Sequence, residues 1–213
     1  MPVNPTMSSE IANAYLTTWT TPFPDSRIKA QSLAAAMAPA IVNGFSTLLV
    51  NANITGAIPI PPPGVPIPYA AVENLPVTIN AGILQSSLAT LFQAWDATIS
   101  NPAFAANLEA QIIADAIYQA FVAFIPVLLV HGAQPLVITV PPSFVMSSVI
   151  SVTLLSTYLI PGAAGSEAAK ATAIGGAILA AVVTWVAAMT VSGAVITAPV
   201  SPLAGGLATG LVI

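Results

Sequence analysis

Residues 38–62 read APAIVNGFSTLLVNANITGAIPIPP, and residues 114–142 read ADAIYQAFVAFIPVLLVHGAQPLVITVPP. The first eight positions of the two stretches share Ala, Ala, Ile and Phe at an offset of 76, with Asn/Gln and Gly/Ala exchanges at two more. A second block follows in each, LLVNANITGAIPIPP at 48–62 and LLVHGAQPLVITVPP at 128–142, now at an offset of 80. A third, weaker copy runs from Lys170 to Met189 as a small-residue helical stretch and leads into VITAP at 195–199, matching VITVP at 137–141 and AIPIP at 57–61. Each copy has one grammar: an apolar helix, a short β-branched segment, then a proline that ends it. The proline-terminated segments lie about 80 and then about 58 residues apart, too uneven for a regular solenoid. Duplication within one domain, or three-fold pseudo-symmetry, fits the spacing.

The fold class expected from this grammar is mainly α with short β-strands (α+β): three degenerate helix–strand–Pro units packed through small residues. The boundaries it implies are an N-terminal arm or short helix at 1–24, unit 1 with a Pro-rich arm (58–69) at 25–82, unit 2 at 83–160, and unit 3 with an apolar tail at 161–213. Within 108–125, Ile112, Ile113, Ala116, Ile117, Ala120, Phe121 and Phe124 share one broad face, while Gln111, Asp115 and Gln119 recur every fourth residue opposite it. Asp25 is placed to cap the helix of unit 1, which the apolar pattern extends to about Asn51, with Pro39 expected to kink or split it. Ser166 is placed to cap the helix of unit 3, where Glu167 faces the positive end of the dipole. IPIPPPGVPIP at 58–68 is expected to run as a polyproline II arm through 69. Residues 83–98 and 144–159 each suit one more helix, although the second is rich enough in β-branched residues to be strand. The tail SPLAGGLATGLVI reads as a loop or a docking strand.

The units at 29–62, 108–142 and 170–199, with their A-x-A-I helices, VIT-type strands and Pro/Gly-rich arms, resemble small structural proteins of contractile-tailed phages and related injection systems. The resemblance implies a virion or tail component present in several symmetric copies, with no catalytic residues to carry over.

Composition bounds function from the other side. Of 213 residues 56% are hydrophobic and 5% charged, and the mean hydropathy is +0.91. Soluble domains carry about 25% charged residues, so charge cannot cover this surface, and burial in lipid or in copies of itself and partner proteins is expected instead. The formal net charge is −4, and the only basic residues are Arg27, Lys29 and Lys170. Without a basic stripe there is no direct nucleic-acid partner to expect. The absence of cysteine removes disulfides, thiolate zinc sites and thiol nucleophiles. The start, MPVNPTMSSE, has no basic n-region followed by an apolar h-region, so no cleaved secretory signal is expected.

Catalytic material is equally sparse. His131 is the only histidine; it falls where the helix of unit 2 should end, before Gly132, and reads as a polar helix end with Asn51 as its counterpart. Glu109 and Asp115, six apart, stand about 240° apart around a helix and do not face one cleft. Glu73 falls in an expected loop. No nucleophile elbow, P-loop or dinucleotide fingerprint occurs. No catalytic residue, cofactor, metal or small-molecule substrate is therefore expected. The candidate interface residues are Trp19, Trp95, Trp185, Phe45 and Phe121, large anchors in a chain of small residues.

The reading these observations favour is a non-enzymatic structural protein that self-assembles or is built in multiple copies into a larger particle, of virion or extracellular location, with itself and other structural proteins as partners. The alternative is an integral membrane protein, a pore or membrane-inserted component with two to four small-residue helices. Ala171–Ile196 is an uncharged run of 26 residues, long enough to span a bilayer. In lipid, Asp115 would be a functional acid; in water, it belongs to a polar stripe with Gln111 and Gln119.

Overall fold

The computed structural model describes residues 3–58, 67–96, 102–124, 129–130, 134–135, 137–159, 167–195 and 204–212. Among the described residues six helices form: α1 (Thr6–Thr20), α2 (Ser26–Phe45), α3 (Ala81–Asp96), α4 (Pro102–Val122), α5 (Phe144–Leu159) and α6 (Glu167–Ala187). Short polar side chains start three of them. Asn4 Oδ1 accepts the backbone N–H of Thr6 at 3.1 Å, Asp25 Oδ1 that of Ile28 at 2.8 Å, and Asn80 Oδ1 that of Ile83 at 3.0 Å, each satisfying a donor the helix cannot reach. The helices neighbour one another in chain order, and α1 closes the ring on α6.

The ring is three hairpins, each a short helix followed by a long one. Counting 76 residues on from α2 and 141 on from α2 aligns the first residues of the long helices, Ser26, Pro102 and Glu167. With that alignment all nine buried residues of α2 meet buried counterparts in α4, and eight of them do so in α6. The short helices repeat a tighter pattern at i, i+4 and i+8: Met7, Ile11 and Tyr15 in α1, Leu84, Leu88 and Phe92 in α3, Met146, Ile150 and Leu154 in α5, all buried. The repeat therefore contains a preceding short helix that the sequence similarity does not reveal, because there only the spacing of large apolar residues is kept. Small residues let the helices approach. A Cβ on Gly175 of α6 would lie 2.2 Å from the Ser8 carbonyl oxygen of α1, so the ring closes backbone against backbone at a position only glycine fits.

Each long helix leads into strand. β1 (Leu49–Ile58) and β2 (Ile67–Pro76) follow α2, β3 (Leu129–Val130), β4 (Gln134–Pro135) and β5 (Val137–Thr139) follow α4, and β6 (Thr190–Val195) and β7 (Ala204–Val212) follow α6. Five of these form one antiparallel sheet in the order β2-β1-β7-β6-β5, while β3 pairs with β4. Strands from all three hairpins thus find their hydrogen-bond partners within one chain. Val50, Ala52, Ile138 and Val191 are buried, while Asn53, Val72, Asn74, Thr139 and Thr190 are exposed, so one face of the sheet packs on the core and the other is wet. A register row of Asn74, Asn51, Leu211, Thr190 and Thr139 crosses all five strands.

The architecture is mainly α with antiparallel strands, as the sequence predicts, and several local expectations need correction. Helix α2 ends at Phe45 rather than near Asn51, because 49–58 is taken up between β2 and β7; Asn51 lies in β1 and donates its amide to the Asn74 side chain at 2.9 Å. Pro39 does not split α2, which runs on either side of it. Residues 67–69, expected in the polyproline arm, begin β2, and Glu73 lies in that strand rather than in a loop; 59–66 lie outside the described residues. The stretch 144–159 is helix, and the Gly-rich tail supplies β7, the middle strand of the sheet.

Candidate functional site

Phe45 and Phe121 occupy the same place in their repeats, at the ends of α2 and α4, and Trp185 sits one residue before the corresponding place in α6. Their rings meet: Phe45 and Phe121 are 6.0 Å apart between centroids, and Phe121 and Trp185 are 5.3 Å apart, nearly edge to face. The Trp185 indole N–H donates to the Pro141 carbonyl at 2.7 Å, which satisfies the one polar atom of a fully buried side chain. Burial inside a single chain uses up all three rings, so these candidate interface anchors are central core residues. Trp19 is half-buried on α1, its ring 5.4 Å from Tyr15. Trp95 belongs to α3, and the surroundings of its side chain lie outside the described residues, as does His131.

Helix α4 places its acids on two different sides. Asp115 is half-buried between the exposed Gln111 and Gln119, and accepts a hydrogen bond from the Ser143 hydroxyl just before α5. Gln119 accepts one from Ser87 of α3 at 3.2 Å. The stripe therefore joins α4 to both neighbouring helices through neutral partners or a single carboxylate. In the first hairpin the Asn43 amide donates to Glu10 at 2.8 Å, in the place where Gln119 and Ser87 meet in the second. Glu109 points inward. It is 1% exposed and accepts a hydrogen bond from the Tyr15 hydroxyl, itself fully buried on α1. This pair was not legible in the sequence, because its members are 94 residues apart and neither carries a motif.

A groove of about 600 Å³ runs between α2 and α3, lined by residues such as Gln31, Ser32, Gln85 and Ser86, and a hollow of about 470 Å³ continues from it past Pro39 and Asn43. All the side chains lining both are neutral, so neither presents an acid, a base or a nucleophile assisted by one. Among the described residues no three His, Asp or Glu side chains come together to hold a metal ion.

The outer surface supplies the remaining feature. Exposed positions on α3 and α4 carry residues such as Gln85, Ser86, Gln93, Asn107, Gln111 and Gln119, so the scarcity of charge is met largely by neutral polar groups. Helix α4 also exposes Phe104, at 52%, and the hairpin of α5 and α6 goes further. Phe144 and Val152 on α5 are 67% and 69% exposed, with Ser148 and Ser156 between and beyond them one turn apart, and Thr172, Ala173, Ala180 and Thr184 face outward on α6. From Ala171 onward the sequence has no charged residue, and α5 has none either. No family model matches the chain, and neither a curated protein nor a solved structure does.

Proposed function

We propose that the chain is a non-enzymatic structural protein that packs in several copies, through the outer face of the α5–α6 hairpin, into a larger particle. The observation that carries this reading is an internal comparison. Aligned on the buried triads, Val152 of α5 stands where α1 has Asn13; aligned on the helix starts, Thr172 and Thr184 of α6 stand where α2 has Gln31 and Asn43 and α4 has Asn107 and Gln119. At these positions the third hairpin has exchanged amide side chains for threonine and valine, and Phe144 and Val152 are the most exposed large apolar side chains among the described residues. Apolar area removed from water contributes roughly 25 cal/mol per Å², and a face without charge has little to desolvate on association. The occupant is a second copy of this chain. Copies that each carry a net charge of −4 repel elsewhere but not across this face. A virion or tail particle, as the resemblance implies, would supply such a setting.

The test is the mass of the protein expressed without detergent, measured by light scattering on the high-speed supernatant and accompanied by electron microscopy. A discrete oligomer, rings or tubes is expected. The double variant Val152→Lys, Thr184→Lys should then scatter as a single chain of 21.5 kDa with an unchanged helical signal. A wild-type protein that is already a single chain, or a variant that assembles as before, would count against the reading. A second reading, membrane insertion, is favoured by α6, whose 21 residues include a window of mean hydropathy 1.6 and are long enough to cross a bilayer. Recovery only from the membrane pellet would select it.

A further inference from the structure

We propose that the Tyr15–Glu109 pair is a register device: it distinguishes the first hairpin from its two near-equivalents and so selects one closed ring over arrangements in which hairpins exchange places. The proposal does not depend on what the protein assembles into. Three hairpins with matching buried patterns create an ambiguity, because α1, α3 and α5 present the same i, i+4, i+8 triad to the core. The position of Tyr15 in that triad is filled by Phe92 in α3 and by Leu154 in α5. Glu109 of α4 aligns with Leu33 of α2 and Ile174 of α6, all buried. At each of the two positions, two of the three repeats carry only hydrocarbon or phenyl groups, so burial there does not need a hydroxyl or a carboxyl.

The first hairpin supplies the hydroxyl and the second the carboxyl, and they meet. Tyr15 is 1% exposed and donates to Glu109, which is also 1% exposed. Neither group is placed to make this bond with its repeat equivalents. With α1 seated in the place of α3 or α5, the phenol would lose its acceptor on α4, and a phenylalanine or leucine seated in the place of Tyr15 would leave the Glu109 carboxyl without this donor. Taking a hydrogen-bond partner from a buried polar group is more costly than replacing both members of the pair by apolar groups of similar shape. A single buried polar contact that fixes register among otherwise interchangeable apolar helices is the best-attested use of such groups. Trp19, whose ring lies 5.4 Å from Tyr15 and one turn along α1, reports on the same seating.

The test gives the pair the residues of the other repeats, Tyr15→Phe with Glu109→Leu, in protein labelled with 5-fluorotryptophan. The chain has three tryptophans, so one arrangement gives three fluorine resonances. Wild type and Glu109→Gln, which keeps an acceptor, are expected to show three. The double variant is expected to melt no earlier than wild type yet to show additional resonances after refolding from denaturant, with their proportions rising with protein concentration if hairpins exchange between chains. Three sharp resonances from the double variant, or a double variant that unfolds at a clearly lower temperature or fails to fold, would overturn the proposal, since the pair would then either specify nothing or serve stability alone. Additional resonances in Glu109→Gln would also overturn it.

Discussion

A methyl group on residue 175 has no space to occupy. At Gly175 the added Cβ would come 2.2 Å from the Ser8 carbonyl oxygen and 3.2 Å from the Ala12 nitrogen, all backbone, so α1 and α6 would have to part where the ring closes. At Gly44 the same methyl would meet the Met7 sulfur at 2.2 Å, the movable end of a flexible side chain, although Met7 Cβ at 3.1 Å leaves only modest slack. A helical Gly→Ala exchange gains close to 1 kcal/mol in propensity, which offsets part of the cost at both sites. Gly175→Ala is expected to destabilise by about 3 kcal/mol, the upper part of the range for overpacking a core, or about 6–12 °C in Tm for a chain of this size. Gly44→Ala should cost no more than about 1 kcal/mol. Thermal melts of the two variants decide the matter, and equal effects would mean that α1 does not close the ring through Gly175. The sequence shows two adjacent glycines at 175–176, but only the structure separates Gly175 from Gly176, whose added Cβ meets nothing within 4 Å.

At the scale of the element, Pro39 lies inside α2 where the aligned residues of α4 and α6 are Asp115 and Ala180. The other two long helices complete their hairpins without a proline in the helix interior, so the repeat does not require one there, and Pro39 is exposed beside the hollow at the α2–α3 boundary. Pro39→Ala restores one N–H to the helix ladder and is expected to raise stability by about 1–2 kcal/mol, part of the roughly 3 kcal/mol that proline costs in a helix interior. A lower Tm would show that Pro39 serves the packing of α2 against α3. The same alignment explains what was legible beforehand. The apolar face of α4 and its Gln111, Asp115, Gln119 stripe follow from a period of 3.6, and the 76-residue offset between the long helices is visible as shared Ala, Ile and Phe. The short helices escaped the comparison because Met7, Leu84 and Met146 agree in size and burial but not in identity. β2 was hidden by Pro68 and Pro76 at its ends, positions an edge strand tolerates since one side of its ladder is open. β7 was hidden because AGGLATGLV has little strand propensity of its own and is held by β1 on one side and β6 on the other. Phe45, Phe121 and Trp185 stand out in the sequence as anchors, but whether an anchor serves a core or an interface depends on which helices surround it, and that is set by contacts distant in sequence.

The whole molecule separates its few charges from its least polar face. Glu10, Asp25, Arg27 and Lys29 lie on or beside the first hairpin, Asp115 lies on α4, and on the third hairpin only Glu167 and Lys170, in the opening turn of α6, are charged. If copies associate through the outer face of α5 and α6, almost no charge is brought together or desolvated, and the driving term is removal of Phe144, Val152 and the small residues of α6 from water. Such an association has little for salt to screen. Raising sodium chloride from about 0.05 M to about 1 M shortens the Debye length to about 3 Å and suppresses contacts that depend on exposed ion pairs. The mass measured by light scattering is expected to stay the same over that range, or to rise slightly because net charges of the same sign repel less. Cooling is expected to act in the opposite sense, because apolar association weakens as temperature falls. Dissociation by sodium chloride alone would locate the contact instead at the charged first hairpin, around Arg27 and Lys29, and would remove the α5–α6 face from the assembly even if the protein proved to be an oligomer.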